Sequence, residues 1–185
     1  MLKIGSGYQL PAGTDLSVLD RLPVHVHKYG DPQPDNQVFR WMQYASSTPD
    51  EGYIAFARNL GNFMPEVARS VADFLESKMD IQIDVHRVNF MKTVGYVGPH
   101  RDEVRTSVIN IGIQNTDAAF TRESLDNDFD TFETEYEDTV VEIGSAYVVN
   151  VQNVHAVIPR SMKERLLITC GFGVTYDQLL TRLKR

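Results

Sequence analysis

Apolar positions change their period along this chain. Val67, Val71, Phe74 and Leu75 recur at helical spacing. Pro65 and Glu66 suit a first turn, and Asn62 can cap it. A helix ending near Lys78 is predicted, and a second is expected around Glu51 to Leu60. After Asp80 the period falls to two. Ile81, Ile83 and Val85 alternate with Gln82 and Asp84, which predicts a strand. Val88 to Met91, Thr106 to Gln114, Thr131 to Tyr136, Thr139 to Ile143, Ala146 to Val151 and Arg165 to Phe172 predict further strands, and Gly144 marks a turn. Tyr176 to Leu183 reads as a C-terminal helix. Upstream, Pro11, Gly13, Pro23, Gly30, Pro32 and Pro34 predict extended pieces and turns, with a short strand at Val24, Val26, Lys28 and Tyr29.

A helical layer followed by a run of short strands implies an α+β, mainly β fold: a sandwich or jelly roll covered by helices. An all-parallel sheet is not expected, because the strands lack the intervening helices it needs. The 185 residues suit one domain. It divides into a helical or irregular part over 1–80, a strand-rich core over 81–173 and a helix over 174–185. The chain contains no internal repeat.

The net charge of −7 disfavours nucleic acid, which needs a basic footprint. The single cysteine, Cys170, excludes an intrachain disulfide and suits a reducing cytoplasm, where the protein is expected. No apolar run is long enough to span a bilayer. The first residues lack the pattern of a secretory signal.

Chemistry concentrates in the strand-rich half, in Gly98-Pro99-His100-Arg101-Asp102-Glu103, in Asn153-Val154-His155 and at Arg165. In an extended chain, residues two apart point to one side, so His100 and Asp102 can present an imidazole and a carboxylate together. A later strand would bring His155 to the same point. Two imidazoles and a carboxylate on one face of a metal leave open positions, the arrangement of non-haem Fe(II) oxygenases. Arg165 opens an apolar strand, where a charge is expensive to bury alone. Its forked guanidinium can hold the free carboxylate of a diacid cosubstrate that chelates the metal at its other end.

The stretch from Val88 to Gln114, followed by Gly144 to Phe172, resembles the Fe(II)/2-oxoglutarate-dependent dioxygenases. It is most similar to their prolyl-hydroxylase and aspartyl/asparaginyl-hydroxylase-like branches. The resemblance covers roughly the C-terminal half. It implies a double-stranded β-helix core, that is, a cupin-like jelly roll with the N-terminal helical layer outside. It also implies His100, Asp102 and His155 as iron ligands and Arg165 as the 2-oxoglutarate anchor. Oxidative decarboxylation of 2-oxoglutarate with O₂ would then be coupled to hydroxylation of a protein side chain, such as Pro or Asp/Asn, or of a small molecule. Many members carry Ser or Thr two residues after the anchoring Arg, where this chain has Leu167. Thr169 and Tyr96 are the candidates for that second contact. The alternative is a cupin-type metal-binding jelly roll with other or no activity.

Other polar residues have plainer expectations. Arg160 is the rival anchor but is expected in a turn. Arg105 could contact substrate but is expected as a solvated strand residue. His86 is expected in a structural or exposed role, and His25 with His27 could pair on a metal but are expected on a surface strand. Trp41 is expected to anchor the core, and Cys170 to be buried and inert. The acidic segment from Arg122 to Asp138 reads as a solvated hairpin, or else as a lip that attracts a cationic substrate.

Overall fold

The computed structural model describes residues 1–28, 39–45, 52–102 and 105–184; Tyr29, Gly30, Pro32, Pro34, Glu51 and Glu103 lie outside them. The elements are β1 (Leu2–Gly5), α1 (Ser17–Asp20), β2 (Val24–His27), β3 (Trp41–Ala45), β4 (Gly52–Ala57), α2 (Leu60–Phe63) and α3 (Pro65–Lys78). They continue with β5 (Val88–Gly95), β6 (Val97–His100), β7 (Ser107–Gln114), β8 (Ala119–Ser124), β9 (Tyr136–Thr139), β10 (Ala146–Val149), β11 (His155–Pro159), β12 (Arg165–Phe172) and α4 (Tyr176–Leu180).

The strands form two sheets. The larger has the order β1-β10-β7-β12-β5-β4-β3-β2 and the smaller β6-β11-β8-β9. From β5 onward the chain winds back and forth between them, and within each sheet these strands pair antiparallel. That winding is a double-stranded β-helix, the jelly roll. The earlier strands widen the large sheet: β1 adds to β10, and β4, β3 and β2 extend the other edge.

The centre of the large sheet is buried on both faces. Its outer face presents Phe90, Ile109, Ile111, Val148, Ile168 and Cys170 to Val67, Ala68, Val71, Ala72 and Leu75 of α3. Each large side chain removed from water here stabilises by roughly 1.5–3 kcal/mol. Pro65 opens α3, with Glu66 in its first turn and Lys78 in its last, so both charges complement the helix dipole. The predicted apolar stripe holds, with Ala68 and Ala72 completing it and Phe74 packing at a tilt against Tyr8. Trp41 is the expected core anchor, and its indole N–H donates to the Leu19 carbonyl. The inner face, turned toward the small sheet, carries Phe56, Met91, Tyr147 and Leu167.

Some local expectations are overturned. The helix expected around Glu51 to Leu60 is strand β4, because pairing with both β3 and β5 outweighs local preference. Ile81 to Val85 is not a strand. The Glu76 carboxylate accepts the Ile83 N–H, and Asp84 caps a 3₁₀ turn over Val85–Arg87 by accepting from the His86 N–H. The two strands expected between Thr131 and Ile143 reduce to β9, since the Thr131 carbonyl closes a turn by accepting from Thr134 and Glu135. Among the described residues no helix is long and apolar enough to cross a membrane.

Candidate metal centre

Strands β6 and β11 are neighbours in the small sheet, and their register sets His100 directly opposite His155, with ring centroids 4.3 Å apart. Asp102 follows just past the end of β6, and its N–H donates to the Val151 carbonyl at 2.9 Å. The Gln152 amide donates to the carbonyls of both Asp102 and Arg105 at 2.7 Å. The turn between β10 and β11 therefore fixes the backbone that carries the carboxylate.

Both imidazoles are oriented by main-chain carbonyls. His100 Nδ1 lies 2.7 Å from the Gly98 oxygen, and His155 Nδ1 lies 2.8 Å from the Asn153 oxygen. A carbonyl only accepts, so each Nδ1 carries a proton, and in the neutral imidazole Nε2 is the nitrogen with the lone pair. Both Nε2 atoms stand 4.0 Å from the same oxygen, Asp102 Oδ1. The three donor atoms all lie within 4.8 Å of one another, and among the described residues they are the one such group that could hold a metal ion. Carbonyl-braced imidazoles are a recurrent support of metal ligands. Burial, then the neighbouring His100, push the His155 imidazole down to about 4. It is therefore neutral, as a ligand must be, well below neutral pH.

The other Asp102 oxygen, Oδ2, is buried without a well-aligned hydrogen bond, and its contact is Arg105 Nη2 at 2.6 Å. The expectation that Arg105 is a solvated strand residue is therefore wrong: the ion pair draws it over the inner face, with its guanidinium above the Phe56 ring.

Arg165, at the start of β12, points to the inner face and is 1% exposed. Its Nε donates to Thr93 Oγ1 at 3.1 Å, and Nη1 lies 3.5 Å from the Ala119 carbonyl. Neither partner is charged, and no carboxylate pairs with it among the described residues. Burial pushes its guanidinium down to about 10, so it remains charged at neutral pH. Further along the same face, Thr169 stands opposite Asn110 on β7. Thr169 Oγ1 and Asn110 Oδ1 are both buried with no hydrogen-bond partner. Leu167 lies between Arg165 and Thr169, fully buried. Tyr96 sits in the β5–β6 connection, half-buried, its ring beside Gly98. Arg160 is exposed.

Sequence alone missed Asn110, since a lone amide within Val108-Ile109-Asn110-Ile111 does not reveal which face it takes. It also missed Gln152 and Asn127. Asn127, with a left-handed φ of 61°, accepts from Arg101 Nε at 3.2 Å and from the Val154 N–H at 2.9 Å. One side-chain oxygen thus ties the acidic segment to residues adjacent to His100, Asp102 and His155. Asp126 in turn accepts from Ser124 and Thr131, so this segment is a braced loop joined to β9. His86 bonds Asn59, His27 lies against the Tyr44 ring, and Cys170 is buried with its thiol pushed up to about 12.

No family model matches the chain, and no curated protein matches it. Among solved structures, it is similar to the ribosomal oxygenase YcfD of Escherichia coli at 15% identity and TM-score 0.42, covering 75% of this chain and 37% of that one. AviO1 from Streptomyces viridochromogenes is 15% identical with TM-score 0.40, covering 78% and 76%. A Pseudomonas putida prolyl-4-hydroxylase is 15% identical with TM-score 0.38, covering 70% and 76%. The chain thus spans little more than a third of the Escherichia coli protein. The fold stands on its strand order, and the site on the placement of its donor atoms.

Proposed function

We propose that the protein is a non-haem Fe(II) oxygenase that consumes 2-oxoglutarate and O₂ and hydroxylates a protein side chain or a small molecule. One observation carries this reading. A single jelly roll carries both a candidate cation site, made of two Nε2 atoms and a carboxylate oxygen, and a buried guanidinium with no carboxylate paired to it among the described residues.

The donor set fits Fe(II), because two imidazoles and one carboxylate leave half of an octahedron for other ligands. His100, Asp102 and His155 would hold the ion. When bound, the iron supplies the oxidative chemistry: 2-oxoglutarate and O₂ become succinate and CO₂, with one oxygen atom entering succinate and the other a substrate C–H bond. The chain's own part is orientation. The Gly98 and Asn153 carbonyls accept from Nδ1 of each histidine, so in the neutral ring Nε2 is the nitrogen left to bind the ion. The Arg165 guanidinium would take the far carboxylate of the diacid through charge-assisted bonds. Thr169 Oγ1 and Asn110 Oδ1 have unused capacity on the same face, and a bound molecule or its waters would satisfy it. Thr169 is the better substitute for the hydroxyl that Leu167 does not provide, because the two share one face of β12.

The test is direct. Purified protein given Fe(II), 2-oxoglutarate and O₂ should release succinate slowly even without its prime substrate, followed by NMR. His155→Ala should abolish both metal uptake and succinate. Wild-type protein that takes up Mn(II) but neither binds 2-oxoglutarate by calorimetry nor forms succinate would overturn the cosubstrate assignment. A cupin-type metal protein of other chemistry is favoured by one feature, the buried apolar Leu167 beside the anchor. That second reading requires Arg165→Ala to leave ligand binding and activity unchanged.

A further inference from the structure

We propose that Arg105 is a positioning residue that keeps Asp102 a one-oxygen ligand. This rests on His100, Asp102 and His155 forming a metal centre. A free carboxylate can chelate an ion with both oxygens. Here the two oxygens are divided before any ion arrives. Oδ1 faces both histidine Nε2 atoms at 4.0 Å, while Oδ2 is 2.6 Å from Arg105 Nη2. A second bond from Asp102 would occupy a position that incoming ligands need.

Arg105 is itself held on three sides. Its guanidinium carbon lies 5.2 Å from the centre of the Phe56 ring. Its carbonyl accepts from Gln152, which also fixes the Asp102 carbonyl. Its aliphatic stem crosses Gly171 on β12, where a Cβ would sit 2.8 Å from Arg105 Cδ. Any side chain at position 171 would displace the arginine, so glycine is the residue that leaves it room.

Electrostatics separates this role from simple scaffolding. A cation this close to the ion opposes metal binding, so the arrangement trades affinity for open positions. Removing the charge should tighten the binding of a divalent ion about tenfold, the Coulomb effect of a unit charge roughly 5 Å away in a water-like medium.

Co(II) titrated into metal-free protein tests this, with its visible absorption reporting the ligand set. Arg105→Ala is expected to bind Co(II) about tenfold more tightly, with a changed spectrum as Asp102 chelates. The Co(II)-loaded variant should bind 2-oxoglutarate about tenfold more weakly than Co(II)-loaded wild type. Arg105→Lys keeps the charge and should restore Co(II) affinity to within a few-fold of wild type. Gly171→Ala moves the arginine without deleting it and should shift both affinities in the same directions by less. Arg105→Ala that loses Co(II) and 2-oxoglutarate affinity together, or changes neither, overturns the proposal while leaving the metal site intact. Wild type that binds Co(II) but not 2-oxoglutarate removes the cosubstrate reading alone, and the Co(II) affinities and spectra then decide the role of Arg105. Wild type that binds no Co(II) overturns both.

Discussion

Strand β12 is buried on both sides, yet its two sides are built differently. Toward α3 it presents Leu166, Ile168 and Cys170, all within the apolar core. Toward the small sheet it presents Arg165, Leu167 and Thr169, a charge and an unpartnered hydroxyl around one leucine. The outer face is complete without any further molecule. The inner face holds polar atoms that the described residues leave unsatisfied, at a cost that only a function repays. Burial alone therefore does not separate core from site; the hydrogen-bond inventory does.

The largest effect should come from damaging the complete face. Phe90→Ala, opposite Ile168 and fully buried, is expected to destabilise by about 3–5 kcal/mol through lost burial and a cavity. Chemical denaturation of the metal-free protein measures this. The reverse sign is expected inside. Arg165→Met removes a charge buried without a counter-charge among the described residues, so stability should hold or rise. The 2-oxoglutarate affinity of the metal-loaded variant should fall roughly 100-fold, about the worth of a charge-assisted carboxylate contact. Destabilisation of Arg165→Met by as much as Phe90→Ala would break the comparison, because the arginine would then be a structural member like the phenylalanine.

His155, on the small sheet that faces β12, gives a pH signature of intermediate size. His155 is held neutral down to about 4, against 6.5 for an unperturbed imidazole. Between those values the unfolded chain binds a proton that the folded chain refuses, so stability rises with pH across that window. Metal-free protein should thus lose on the order of 2–3 kcal/mol as pH falls from 6.5 to about 4. His155→Phe should flatten that part of the profile, while Phe90→Ala should shift the whole profile downward and keep its slope. A flat wild-type profile would mean that the imidazole is better solvated than its surroundings indicate.

The same contrast explains what could be read from the residues alone. The chain order of β5, β7, β10 and β12 was legible because β-branched runs and the switch to period two mark strands locally. The approach of Asp102 to His100 was legible because residues two apart on an extended chain point to one side. The cross-strand facts were not. That Asn110 meets Thr169, that Arg105 turns back to Asp102, and that Gly52–Ala57 pairs on both sides all depend on partners distant in sequence. Leu2–Gly5 and Ser17–Asp20 are too short to carry a periodic signal.

The smallest effect tests the inner face most finely. Thr169→Val replaces a hydroxyl by a methyl of nearly the same shape. Thr169 is fully buried, and its Oγ1 has no partner, so the folded chain bears the desolvation of that oxygen without return. Removing it should stabilise the metal-free protein by about 1 kcal/mol, the low end of what an unsatisfied buried group costs. The same change should weaken 2-oxoglutarate by about fivefold, since a neutral hydrogen bond contributes on the order of 1 kcal/mol. Opposite signs for folding and binding at one atom are what a site produces and a core does not. Were Thr169→Val to destabilise the metal-free protein, the hydroxyl would already have a partner, such as an ordered water, and the inner face would be complete before any ligand arrived.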